Sequence, residues 1–86
     1  MSISAALHAL YEERDRLDAE RSRVEEAIVA LEHALELAPR DPEALYFLGL
    51  GHTQIGQYRE AAAALRRLLE IEPDYRDANQ ILRQIE

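Results

Sequence analysis

The residues able to do chemistry in this chain are three histidines, His8, His33 and His52, the serines Ser2, Ser4 and Ser22, and seventeen acidic side chains. Metal binding needs imidazoles or carboxylates converging at fixed spacing. No two histidines stand four apart, and none lies in an H-E-x-x-H setting. Cysteine is absent, which removes thiolate zinc sites, thiol nucleophiles and disulfides together. Serine chemistry requires an exposed nucleophile elbow with a histidine and an acid nearby; Ser4 and Ser22 sit in helical sequence with no such frame. Gly49, Gly51 and Gly56 lie within or at the end of a helical pattern rather than in a phosphate-cradling loop. The carboxylates fall on charged helical faces, where they favour solubility over acid–base catalysis. No enzyme, no cofactor and no metal site is expected; His33, beside Glu32 and Glu36, reads as a surface charge pair, and His52 as a packed histidine.

With chemistry set aside, the apolar spacing carries the information. Leu45, Leu48, Gly49 and His52 share one helical face, and after Gly56 the residues Ala61, Leu65, Leu68 and Leu69 form another. Gly49 and Ala61 lack bulk where two antiparallel backbones approach. Asp41 can cap a helix that opens with Pro42, and Pro73-Asp74 resets the chain before a last helix carrying Ala78, Ile81, Leu82 and Ile85 on one side.

The residues Leu45, Leu48, Gly49, His52, Ala61, Leu65 and Pro73 occupy the spacing W-x2-L-G-x2-Y, A-x3-F, P, so the stretch resembles a tetratricopeptide repeat (TPR). Leu45, His52 and Leu65 stand where that pattern has aromatics, while Gly, Ala and Pro are kept. Stepping back 34 residues, Ala27, Leu31, Ala34 and Pro39 match Ala61, Leu65, Leu68 and Pro73. The second half of a preceding repeat is present. Its first half would fall on Tyr11, Arg14, Asp15 and Asp18, whose charges are costly in a hairpin interface.

From Ser4, a possible cap, to Ala38 neither Gly nor Pro interrupts, giving about 50 Å of helix at ~1.5 Å per residue. Ile3, Leu7, Leu10, Arg14, Leu17, Arg21, Val24, Ile28, Leu31 and Leu35 follow alternating steps of four and three, a heptad seam. In a parallel pair, Glu13 and Glu20 at the flanking positions could meet the partner's Arg14 and Arg21. Two other readings stay open: a solvated single helix across Tyr11–Arg23, supported by i,i+4 pairs such as Arg21 with Glu25, and a break at Ser22, where Ser22-Arg23-Val24-Glu25 fits a capping box.

The expected fold is all-α, with TPR-like antiparallel hairpins: a long helix over about 4–38, then helices over 42–55, 58–71 and 75–85. Residues 1–23 form a coiled-coil-like extension, and 24–86 a TPR-like domain closed by a terminal helix. Eighty-six residues with 48% hydrophobic content and no cysteine leave association with another copy as the available way to complete the core. The expected self-association seam is Leu7, Leu10, Arg14, Leu17, Arg21 and Val24, giving a homodimer or higher homo-oligomer.

A net charge of −7 repels nucleic acid and anionic membrane surfaces, and no stretch approaches the ~20 apolar residues of a membrane span. A cytoplasmic location is the expectation. The family resemblance implies a groove for a protein or peptide partner, falling here on Glu43, Tyr46, Leu50, Thr53 and Gln54. The basic side chains with which relatives clamp acidic chaperone tails are missing from it, so a basic or apolar ligand fits better. The alternative function is a purely structural oligomerisation module.

Overall fold

The computed structural model describes residues 3–86, with side chains from residue 19 onward. Four helices follow one another: α1 (Ile3–Leu37), α2 (Pro42–Gln54), α3 (Tyr58–Ile71) and α4 (Ala78–Ile85). Among the described residues there is no strand. The helix α1 runs unbroken through Ser22, so the capping-box sequence there ends nothing.

Each turn between helices has a local cause. Asp41 Oδ1 accepts from the backbone N–H groups of Glu43 (3.0 Å) and Ala44 (3.3 Å), satisfying donors that the first turn of α2 leaves free. Pro42, whose missing N–H costs nothing there, takes the first helical position. After α2, Gly56 adopts φ +78, a left-handed conformation glycine accepts without strain, and lets α3 return antiparallel.

The final helix begins at Ala78 rather than 75. After the Pro73-Asp74 reset the chain first makes turns closed by Tyr75 N–H to Glu72 O (3.2 Å) and Ala78 N–H to Tyr75 O (3.1 Å). Arg76 between them has φ +41, which a right-handed helix cannot contain.

The core lies between α2 and α3, where Leu45, Leu65 and Leu68 are fully enclosed. Burying each such leucine stabilises the fold by about 1.5–3 kcal/mol. On α3 the buried residues Ala61, Ala62, Ala64, Leu65 and Leu68 make one stripe, opposite exposed Glu60, Arg66, Arg67 and Glu70.

Two glycines on α2 allow close approach on both flanks. A methyl group built on Gly49 would lie 2.7 Å from Leu65 Cδ2, and one on Gly51 3.0 Å from Ile28 Cγ1. Residues two apart on a helix point about 200° from each other, so α2 is clasped between α3 on one side and α1 on the other. α4 closes the far side with Ala78 fully buried, and Arg66 pairs with Glu86 across α3 and α4.

The radius of gyration is 16.9 Å, against about 12 Å for a compact chain of this length. The excess comes from α1, whose N-terminal half continues beyond the hairpin instead of folding back on it.

Candidate protein-interaction surface

A groove of about 610 Å³ opens between α1 and α2. One wall is Val24, Ala27, Ile28 and Leu31 from α1, and the other Phe47, Leu50, Gly51 and Gln54 from α2. Helical spacing produces this lining, since 24, 27, 28 and 31, and likewise 47, 50, 51 and 54, are each i, i+3, i+4 and i+7 positions. Phe47 remains 40% exposed, which is unusual for an aromatic ring beside a core. Val24, Leu31 and Leu50 are only half-buried. No buried side-chain nitrogen or oxygen among the described residues lacks a hydrogen-bond partner, so what the groove offers is apolar surface framed by Arg23 and Gln54.

The expected groove residues are not all brought together. Leu50 and Gln54 line the groove. Glu43 is exposed at the start of α2. Thr53 Oγ1 donates to Gly49 O within its own helix (2.8 Å), which occupies its hydroxyl proton. Tyr46 is 7% exposed and held by the chain's own C-terminal turn. Its hydroxyl donates to Asp77 Oδ1 at 2.6 Å, and its ring meets the Tyr75 ring at 5.4 Å between centroids.

The Arg76 guanidinium carbon lies 5.1 Å from the Tyr46 ring centroid, 5.4 Å from that of Tyr75 and 5.8 Å from that of Phe47. The hydrogen bond to Asp77 holds the Tyr46 phenol above its ordinary pKa, and burial adds to the effect. On α2, Phe47, which joins this cluster to the groove, and Gly51, which lets α1 approach, are lining residues that sequence reasoning missed, and the α1 wall was read as seam or repeat positions and not as groove. The signal for Phe47 and Gly51 was the spacing to Leu50 and Gln54.

Of the expected seam, Arg21 is exposed and its Nε donates to Glu25 Oε1 at 2.8 Å, while Val24 lies in the groove. Leu7, Leu10, Arg14 and Leu17 lie outside the described side chains. Farther along the same stripe, Ile28 and Leu35 are buried within the chain's own core cluster at 6% and 8% exposure. His52 is 7% exposed, with Nδ1 2.7 Å from Gln57 Oε1, a packed and partnered imidazole. Among the described residues no three His, Cys, Asp or Glu side chains are grouped to hold a metal ion. No described helix is long and apolar enough to cross a membrane.

Cytochrome c-type biogenesis protein CycH of Rhizobium meliloti (strain 1021) is 48% identical to this chain over 48 residues, which is 56% of the chain and 13% of that protein. The chain therefore matches only a small part of this relative's length. No solved structure gives a significant match. The family model described as the Fis1 C-terminal tetratricopeptide repeat matches residues 42–86, the stretch that contains α2, α3 and α4. With more than half its length so matched, and with the glycine-mediated packing of α2 on α3 in place, the chain belongs to the Fis1 C-terminal tetratricopeptide repeat family.

Proposed function

We propose that the chain is a non-catalytic adaptor, a protein-interaction module of TPR type that self-associates through its long N-terminal helix. The observation that carries this is the groove between α1 and α2, an apolar surface with Phe47 40% exposed and, among the described residues, no further helix lying over it. Surfaces of this kind suit an amphipathic helix. Residues 1–23 act in this reading as the extension that associates, and 24–86 as the repeat domain. A cytoplasmic location belongs to the same proposal and is checked by cell fractionation. The similarity to a cytochrome c-type biogenesis protein supports a setting in cytochrome c-type biogenesis.

Sedimentation at micromolar concentration tests the association, with a dimer or larger assembly expected. Leu17→Glu, on the expected seam and far from the hairpin, should weaken that assembly while leaving the hairpin helical. A monomer that still melts cooperatively would refute self-association.

The second reading, a structural oligomerisation module without a separate ligand, is favoured by the capture of Tyr46 by Asp77, which withdraws one expected ligand contact. Stoichiometric recovery of a different protein with the chain from its native source supports the adaptor, and recovery of the chain alone supports the module.

A further inference from the structure

We propose that the groove between α1 and α2 is filled by the N-terminal half of α1 from a second copy of this chain. It enters antiparallel to the host α1 and takes the position of the first helix that the truncated repeat lacks. This rests on the self-association proposed above and adds which residues meet, and in which sense.

The molecule contains its own template for the missing contact. α2 covers α3, leaving Ala61, Leu65 and Leu68 at 0% exposure. Their counterparts 34 residues earlier are Ala27, Leu31 and Ala34 on α1. Ala27 and Ala34 are exposed and Leu31 is half-buried. A helix packs on the first set, and among the described residues none packs equivalently on the second.

The chain cannot supply that helix to itself favourably. α1 is continuous through Ser22 and carries its N-terminal half away. Were it to fold back in the register that sets Gly49 against Leu65, the same step of 34 residues would set Asp15 against Leu31. That would place a carboxylate in an apolar contact.

A helix from a second copy is not tethered to that register. The seam is symmetric about Ala19: Leu17, Arg14, Leu10, Leu7 and Ile3 on one side mirror Arg21, Val24, Ile28, Leu31 and Leu35 on the other. An antiparallel pair centred there sets the second copy's Leu7 opposite Leu31, which its own chain leaves half-buried, with Leu10 one step along beside the groove edge of buried Ile28. The first eleven residues, MSISAALHALY, carry no charged side chain, which suits the stretch that must enter an apolar groove. Antiparallel approach is also the sense in which α2 meets α3.

A parallel pair fits worse. It would stack Arg14 on Arg14 and Arg21 on Arg21 within the seam, with only the flanking Glu13 and Glu20 to neutralise them. It would also hold the uncharged N-terminal stretch at the far end from the groove.

The absence of cysteine allows a direct test in the full chain. Positions 7 and 31 are about 36 Å apart along one helix, far beyond disulfide reach. Leu7→Cys with Leu31→Cys should therefore give covalent dimers on mild oxidation, while Leu7→Cys alone should not. A spin label at Glu36→Cys, whose native side chain is 74% exposed, avoids disturbing the core. It should report a separation of about 50 Å between copies in the antiparallel pair. Leu50→Arg should weaken dimerisation at least tenfold.

A dimer with Glu36 labels closer than about 25 Å, or one cross-linked by Leu7→Cys alone, overturns the antiparallel arrangement while leaving self-association standing. A dimer undisturbed by Leu50→Arg in a folded variant overturns the choice of occupant and gives the groove to a different protein. A native chain that stays monomeric removes the underlying self-association reading itself.

Discussion

Replacing Gly49 with alanine sets two known effects against each other. Alanine in a helix interior is favoured over glycine by about 1 kcal/mol. The added methyl, however, would lie 2.7 Å from Leu65 Cδ2 and 2.8 Å from Leu65 Cγ. Leu65 is fully enclosed, and the conflict includes its branch carbon as well as its flexible end, so the overpacking cost belongs in the upper part of the usual ~1–3 kcal/mol range. The net expectation is a loss of about 1–2 kcal/mol, or a fall in Tm on the order of 5–15 °C for a chain of this size.

Gly51→Ala is the internal control, because its methyl would meet Ile28 Cγ1 at 3.0 Å and Cδ1 at 3.5 Å. Ile28 is buried but edges the open groove, and a contact of 3.0 Å asks it to give by only a few tenths of an ångström. The propensity gain should then offset the contact, leaving Tm within about 3 °C of the parent. Circular dichroism melts at one shared protein concentration make the comparison, since association would make Tm depend on concentration. If Gly49→Ala melts at or above the parent, or if the two variants shift equally, the account of α2 as a helix pressed tightly on α3 and loosely on α1 is wrong.

Tyr46→Phe should cost about 1 kcal/mol in urea denaturation, less than a fully enclosed bond to a charged group because Asp77 is exposed. The Tyr46 phenol is raised above 10.0 in the folded chain. Its contribution is therefore complete below pH 10 and is lost as pH rises through the raised value; Tyr46→Phe should flatten that alkaline loss relative to the parent. Asp41→Ala removes the acceptor for two backbone N–H groups and should cost about 1 kcal/mol by the same assay. Gly56→Ala meets no atom within 4 Å, so only its φ of +78 opposes it; a loss of about 1–2 kcal/mol is expected, with Gly56→Asn less damaging because asparagine tolerates that region better.

Signals that act within one helix or one turn were legible in the sequence. Asp41-Pro42 marked the start of α2 and Gly56 its end, and the apolar spacing selected Leu45, Leu65 and Leu68, all fully buried. What escaped depends on distant residues. Tyr46 has the type and spacing of a ligand contact, but Asp77 lies 31 positions away and no local pattern announces their bond. The same turn delays α4: Asp74 is a plausible cap in isolation, yet Arg76 turns left-handed as the chain sets Tyr75 against the ring of Tyr46. The long seam was visible, but periodicity alone did not reveal that Ile28 and Leu35 are buried against the chain's own hairpin. Gly51 read as a residue inside a helix; its use emerges only with Ile28 beside it.

Stripped to bare backbone on two opposite flanks, α2 works as the gauge that sets the spacing of the whole stack. A thicker rod would press first on α3, where enclosed Leu65 leaves no slack, and only more gently on α1, where Ile28 edges the open groove. The displacement would travel along the rod to its first turns, where Tyr46 latches the C-terminal turn through Asp77. The girth of one thirteen-residue segment thus governs how wide the cleft opens at one end and whether the terminal helix stays docked at the other.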